Sequence, residues 1–551
     1  MLPAVLAALL FHPLIFAGFS EAKDFTLAFT ARLLADVGLS RLDVAGLLGG
    51  PELNYALALT PPITLATHTL LFRALGDSPA AQNAATLALH LLVMFAAMWA
   101  AWEWRREPAA SLVAGVVVAT HPIAAGIVGG IGQLGAVLAT LFVLLAVAFS
   151  IRFARDGNRL LLGPLMLTGV FAAAADAVGL VAIPAALSAA LAAPEPRHVS
   201  RARSLAAPAA VVLGALTPLL FILTLHGPRI YAAQLLGPGL RRLGDCAAWA
   251  MHALALPAGF ALDNRREWLG RLLIAALIAA LLTLTAPRAR RRPALIVWPA
   301  LTLLALWPGA LGLGPVGPAA DAGVFAACYL PLAFIALWVA ELTPARRLRR
   351  VAFIALLFAV LVPQTRALVT ARAGRAQLIN RLGREMGFFI DRARMGADVL
   401  LSARPSQVRL METAFLAGQY RTEAPRQIRY RLVMGGRLLA APRATPLGEN
   451  NSGFARLPFT DENMVLALSP DGAHVADLSG QIRAKMKLAE DVIREEGHAP
   501  PVWPLLDEAA LNQWDVGQNC RGLQSLSPDD FAWFLEGYYY RLHPHLGQVS
   551  F

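Results

Sequence analysis

Cysteine, lysine and charge are all scarce in this sequence. The three cysteines among 551 residues, Cys246, Cys328 and Cys520, show neither metal-ligand spacing nor a disulfide framework. Cys328 lies in an apolar run and reads as core, whereas Cys246 and Cys520 share an outer side, as a pair or as two free thiols. Lysine occurs only at Lys23, Lys485 and Lys487, so nearly all positive charge is arginine, a usage that GC-rich coding explains without a function. Charged residues make up 15% of the chain, against about a quarter in soluble domains, which is thin for a soluble protein of this length. Walker loops, HExxH, GxSxG and CxxC are absent, leaving ATPases, zinc proteases, α/β-hydrolases and thiol redox enzymes without support. No basic n-region or clean cleavage site marks the N-terminus, so the first apolar segment reads as a retained helix.

Apolar residues are what the chain has instead, at 57% with a mean hydropathy of +0.56. Runs long enough to cross a bilayer recur through the first two thirds. The first covers residues 2–19 and stops at Glu21, Lys23 and Asp24. Residues 53–75 read as a helix in or dipping into the interface, interrupted at Pro61-Pro62. A span over 80–102 ends on Trp102 and Trp104, as an aromatic belt requires. Hairpins follow, 109–128 with 132–151 across a Gly-rich turn and 160–175 with 178–193 around Asp176. Residues 205–226, 268–286, 294–313, 324–342 and 351–370 complete a set of about eleven spans.

The net charge of +12 does not point to nucleic acid, because the arginines gather in short loops between apolar runs. Arg105 and Arg106, Arg152 to Arg159, Arg197 to Arg203, Arg288 to Arg292 and Arg346 to Arg350 fall on one side. The turns near Gly130, Asp176 and Pro318 carry no Lys or Arg. The asymmetry predicts a cytoplasmic N-terminus and an external tail. From about residue 372 the composition changes. Residues 371–396 read as an amphipathic helix continuing off the last span and lying on the membrane surface. Short strands are predicted at 398–402, 437–441 and 464–469, and helices at 481–496 and 528–535. The expected fold class is an all-α polytopic membrane domain over 1–371, followed by a small α+β extracytoplasmic domain over 372–551.

Few residues in this setting carry chemistry. Glu21 and Asp24 stand at the outer end of the first helix. A carboxylate there deprotonates an acceptor hydroxyl or holds a cation against a lipid phosphate; the plain alternative is two solvated charges at a helix end. His68, His90 and His121 lie within or near spans, where ionisable groups are costly, although neutral His often only bonds a neighbouring helix. Asp176 occupies the tip of an apolar hairpin, as a functional acid or as a polar turn residue. Arg265 and Arg266 oppose the charge asymmetry, and their fork geometry suits a carrier-lipid phosphate or a headgroup. Tyr538, Tyr539 and Tyr540 with Arg541 and His543 form a sugar-stacking surface or an aromatic core edge. No cofactor is expected and no metal ligand set stands out, with a divalent cation left open.

Four passages resemble the GT-C superfamily of polytopic glycosyltransferases, nearest to bacterial relatives of protein O-mannosyltransferases and of the transmembrane, tetratricopeptide-containing mannosyltransferases. They are LLFHPLIFAGFSEAKDF at 9–25, LTPPITLATHTLLFRALGDSPAAQNAATLALHLL at 59–92, ATHPIAAGIVGGIGQLGAVLATLFVLLA at 119–146 and AAAADAVGLVAIPAALSAAL at 172–191. The resemblance implies a membrane lipid environment and a polyprenyl-phosphate sugar donor. It implies a protein, lipid or polysaccharide acceptor at the outer face of the cytoplasmic membrane. On it, Asp24 is the base and Glu21 its substitute, His90, His121 and Asp176 bind substrate, and Arg265 and Arg266 contact phosphate. The chain departs from the family pattern at Ala22-Lys23, Thr60-Pro61-Pro62, Gly126 and Gln133, and lacks the helical repeats of that branch. A second expectation follows from those departures: a degenerate GT-C-like membrane scaffold whose C-terminal domain binds an envelope partner. A transporter is the weakest class, because one half does not repeat the other.

Overall fold

The computed structural model describes residues 2–21, 24–25, 27–28, 61–193, 204–226, 294–312, 322–392, 398–402, 408–421, 429–434, 437–439, 464–468, 472–477 and 479. The chain divides into two compact units, Met1–Gly374 and Arg375–Phe551.

The first unit is helical among its described residues. Its helices are α1 (Leu2–Ala17), α2 (Pro62–Leu75), α3 (Pro79–Arg105), α4 (Pro108–Thr120), α5 (Pro122–Val128), α6 (Leu134–Asp156), α7 (Leu162–Ala175), α8 (Ala182–Ala192), α9 (Ala206–His226), α10 (Ala294–Gly312) and α11 (Ala322–Glu341). A twelfth, α12 (Arg347–Arg392), begins in this unit and runs past its boundary. Among the described residues, three helical segments are long and apolar enough to cross a membrane: Pro79–Arg105, Ile131–Asp156 and Arg347–Arg392. The bent pair α4–α5 makes a fourth if it counts as one span, and six shorter apolar helices accompany them. The span expected at 268–286 lies outside the described residues.

Helix ends follow local chemistry. Ser78 caps α3 by accepting from Ala81 N–H at 3.4 Å, and Pro79 sits in the first turn, where a missing N–H costs nothing. Pro61 and Pro62 open α2 in the same way, and residues 53–60 of the segment expected over 53–75 lie outside the described residues. The segment 109–128 is not the single straight span its composition suggests. Pro122 lacks an N–H and disfavours a helical His121, so α4 stops at Thr120 and α5 leaves at a 59° bend. His121 is extended, and its Nδ1 accepts from Ile123 N–H at 3.2 Å. Ala124 N–H turns to His121 O, and Thr120 O accepts the Thr365 hydroxyl of α12 instead.

Packing sorts the helices by depth. In its apolar stretch, the Ile131–Asp156 segment is 78% buried and α12 only 11%, so α6 is central and α12 peripheral. The α7–α9 contact is close enough to exclude side chains. A Cβ on Gly169 would lie 2.3 Å from Val211 O, and one on Gly214 would lie 2.0 Å from Met166 O. At the arginine-bearing end, buried Glu103 accepts from Arg106 at 2.6 Å, Arg155 at 3.1 Å and Trp99 Nε1 at 3.1 Å. Arg105 grips both oxygens of Glu107 at 2.9 Å and the Glu341 carbonyl at 2.9 Å. Trp104 packs edge-on to Trp298, which stacks on Phe334. Thus α3, α6 and α11 are tied at one end by charge.

The second unit holds a five-stranded sheet of β1 (Asp398–Ser402), β2 (Arg429–Met434), β3 (Arg437–Leu439), β4 (Met464–Leu468) and β5 (Val475–Asp477), in the order β3-β2-β1-β4-β5. Strand β1 pairs in parallel with β2 and β4, and both edges are antiparallel. Helix α13 (Val408–Arg421) makes the crossover that the parallel β1–β2 pair needs. The core joins Leu382, Met386 and Ile390 of α12 to Met411 and Phe415 of α13 and to Val399, Leu401, Leu466, Leu468 and Val475. This corrects the surface-helix expectation for 371–396, because the apolar stripe of α12 is buried against strands. Strand β2 and helix α13 are additions to the sequence reading, and the expected helices at 481–496 and 528–535 lie outside the described residues.

Candidate functional site

The site grows from the end of α1. Gly18 takes φ 88°, which turns the chain out of the helix. Asn83 of α3 closes that end, donating to Leu14 O at 3.1 Å and Gly18 O at 3.4 Å. Phe19 and Phe25 pack edge to face at 5.6 Å and are buried. Between them, Asp24 reaches back along the chain. Its Oδ2 accepts from Glu21 N–H at 3.2 Å and Ser20 N–H at 3.4 Å, while Asp24 N–H donates to Glu21 O at 3.0 Å. This is the reach-back half of a capping box.

The other carboxylate oxygen makes the long-range contact. Asp24 Oδ1 accepts from Gly132 N–H at 2.7 Å, in the short 3-10 turn Ile131–Gln133 between α5 and α6. Glycine is needed beside it, since a Cβ on Gly130 would stand 2.7 Å from both Asp24 oxygens. Asp24 is only 1% exposed. Burial and the neighbouring Glu21 push its pKa up to about 6, against the opposing pull of Gly132 and Ser20 N–H groups and Arg372. The fold therefore holds a carboxylate where ionisation near neutrality works against burial.

Glu21 differs. Its carboxylate pairs with Arg372 of α12 at 3.4 Å, and its side chain is 14% exposed. Of the two acids, Glu21 is the one with an open side. Asp176 joins the same neighbourhood from beyond the glycine turn. It is half-buried, and its Oδ1 accepts from Val178 N–H at 3.1 Å, opening the 3-10 turn Ala177–Val181. A Cβ on Gly135 would lie 2.9 Å from Ala175 O, 3.1 Å from Thr64 Oγ1 and 3.3 Å from Asp176 Oδ2. Thr64 fixes that corner by donating to Ala175 O at 2.7 Å. The segment from Gly130 to Gly135 thus has Asp24 at one end and Asp176 at the other.

The remaining sequence-predicted residues go elsewhere or fall outside. His90 is buried between helices, its Nδ1 2.5 Å from the Tyr329 hydroxyl and its ring edge-on to Phe11. His121 serves as the cap at the α4–α5 bend. Arg265 and Arg266 lie outside the described residues, as do Cys246, Cys520 and residues 538–543. Among the described residues, no group of three His, Cys, Asp or Glu side chains is placed to share a metal ion. Sequence reasoning missed Arg372, Asn83, Thr64 and the backbone of Gly132. The run Gly129-Gly130-Ile131-Gly132 was the available signal for the last of these, because such density of glycine marks close backbone approach.

No family model matches the chain, and no curated protein matches it by sequence. Among solved structures it is similar to the oligosaccharyltransferase of Archaeoglobus fulgidus, crystallised with Zn and sulfate, at 13% identity and a TM-score of 0.40. That alignment covers 75% of this chain and 61% of the oligosaccharyltransferase, so the chain spans under two thirds of that protein's length.

Proposed function

We propose that this is a glycosyltransferase-like protein of the cytoplasmic membrane, transferring a sugar from a polyprenyl-phosphate-linked donor to a protein, lipid or polysaccharide at the outer face. The N-terminus is cytoplasmic and the unit beginning at Arg375 extracytoplasmic on this reading. One observation carries it: Asp24, buried and raised to about 6, sits beside the Glu21–Arg372 pair at the mouth of an apolar helix. Buried carboxylates with raised pKa values cluster at functional sites. Four sequence passages in GT-C-like order supply the reaction class.

On this proposal the roles differ from those the resemblance implies. Glu21, with its open side, takes the acceptor hydroxyl proton as the acceptor oxygen bonds to the anomeric carbon. The bond from that carbon to the phosphate oxygen breaks, the electron pair leaves with the polyprenyl phosphate, and Arg372 offsets its charge. Asp24 positions Glu21 and the glycine turn. Asp176 lines the acceptor side.

The test is mass spectrometry of envelope glycans from cells lacking the protein and complemented with wild type, Glu21→Gln or Asp24→Asn. Wild type restores a glycan and Glu21→Gln does not. Equal restoration by Glu21→Gln removes Glu21 as the base, and no glycan change in any strain removes the transfer reading. The second reading, a degenerate scaffold whose C-terminal unit binds an envelope partner, has its own support. Three backbone N–H groups already occupy Asp24, as in a purely structural acid.

A further inference from the structure

The arginines at the charged end of the first unit fall into two classes. Arg105, Arg106 and Arg155 are answered inside the protein by Glu103, Glu107 and Glu341. Arg346, Arg347 and Arg349 are not: all three are exposed, and among the described residues none has an ion-pair partner. Their place is electrostatically wrong for the helix they open. The first turn of α12 holds no acidic residue, so the arginines add positive charge to the positive end of the helix dipole. Arg350 turns inward to Pro344 O and Ala345 O, leaving the other three facing out.

Apolar exposure marks the same place. Leu348 and Leu160 are each 82% exposed, the highest values among the large hydrophobic side chains described. Each adjoins exposed arginine, Leu348 between Arg347 and Arg349, and Leu160 after Arg159. A bare leucine flanked by cations suits the boundary where acyl chain meets phosphate. We propose that Arg346, Arg347, Arg349 and Leu348, with Arg159 and Leu160, seat this end of the protein on anionic glycerophospholipid headgroups. The surface binds lipid whether or not the transfer reading holds.

The full chain in neutral detergent is titrated with phosphatidylglycerol, phosphatidylcholine or inorganic phosphate, reading bound lipid by native mass spectrometry and melting temperature. Wild type retains phosphatidylglycerol over phosphatidylcholine. The variant R346Q/R347Q/R349Q loses about fivefold in phosphatidylglycerol affinity for each arginine removed. Arg152→Gln, at an arginine already paired with Asp156, keeps wild-type binding. Leu348→Glu gives the same weakening through one exposed position, should the triple variant fail to fold. Unchanged lipid preference in these variants overturns the proposal, as does equal retention of phosphatidylcholine. Inorganic phosphate reproducing the full effect also overturns it, by making the surface a small-anion site.

Discussion

At the scale of single residues, Asp24 makes the sharpest commitments. Its side chain accepts three backbone N–H groups in a buried setting, so Asp24→Asn must turn an amide donor toward at least one of them. The expected loss is about 1–3 kcal/mol of stability, measured by denaturant titration in micelles, and Glu21→Gln, which takes the carboxylate away from buried Arg372, should cost stability as well. The pH dependence has a definite sign. A carboxyl raised from 3.8 to about 6 on folding binds its proton more tightly in the folded state. Its contribution is complete below 3.8 and is lost as pH rises through about 6. Wild-type stability measured against Asp24→Asn should therefore fall across that window, by up to about 3 kcal/mol. A flat difference would mean that Asp24 does not titrate there. Gly130→Ala tests the same contact from the other side, since its Cβ needs space held by both Asp24 oxygens. It should reproduce the stability loss of Asp24→Asn, and combining the two should add little.

At the scale of elements, glycine position decides how closely helices approach. Gly214→Ala and Gly169→Ala each drive a methyl into the backbone carbonyl of the facing helix, so each should lower the melting temperature clearly. Gly163→Ala in the same helix α7 meets nothing within 4 Å and should be neutral or slightly stabilising. Equal effects from all three would show that α7–α9 proximity is not what these glycines serve. Elements are also where the sequence was most readable. Apolar runs at 205–226, 294–313 and 324–342 correspond to α9, α10 and α11, because burial in apolar surroundings writes itself as continuous hydrophobicity. The strand segments at 398–402 and 464–469 were visible through β-branched and apolar runs. By contrast β2 (RYRLVM) hides behind alternating arginines, and α13 sets polar residues between its buried Met411, Ala414 and Phe415, so no continuous apolar run marks it. The α4–α5 break was written in His121-Pro122, yet surrounding apolarity masked it.

At the scale of the whole molecule, long-range polar pairs organise the first unit, and none could be read locally. Arg105 meets Glu341 across 236 positions, and Arg372 meets Glu21 across 351. Sequence pattern reports which residues are polar, not which distant partner answers them. Thus Asp24 and Glu21 were identifiable as candidates, but their different surroundings were not, because Gly132 and Arg372 lie far along the chain. The arginine-bearing end gives the matching prediction. Removing the buried Glu103 carboxylate strands Arg155 and Arg106, so Glu103→Gln should cost about 3 kcal/mol. Adding Arg155→Met should recover part of that loss in a double-mutant cycle. No recovery would assign Glu103 to helix packing instead of charge.

The bend at His121 has a consequence in time as well as in space. Thr120 O loses its helical partner when Pro122 redirects the chain, and the hydroxyl that satisfies it belongs to Thr365, 245 residues later. At about 5–20 residues per second of synthesis, that carbonyl waits for roughly ten seconds to a minute before its partner exists. A ribosome-bound chain cut short of α12 would carry an open backbone acceptor in an apolar surround. The first unit is therefore finished backwards, its early bend completed by its last helix.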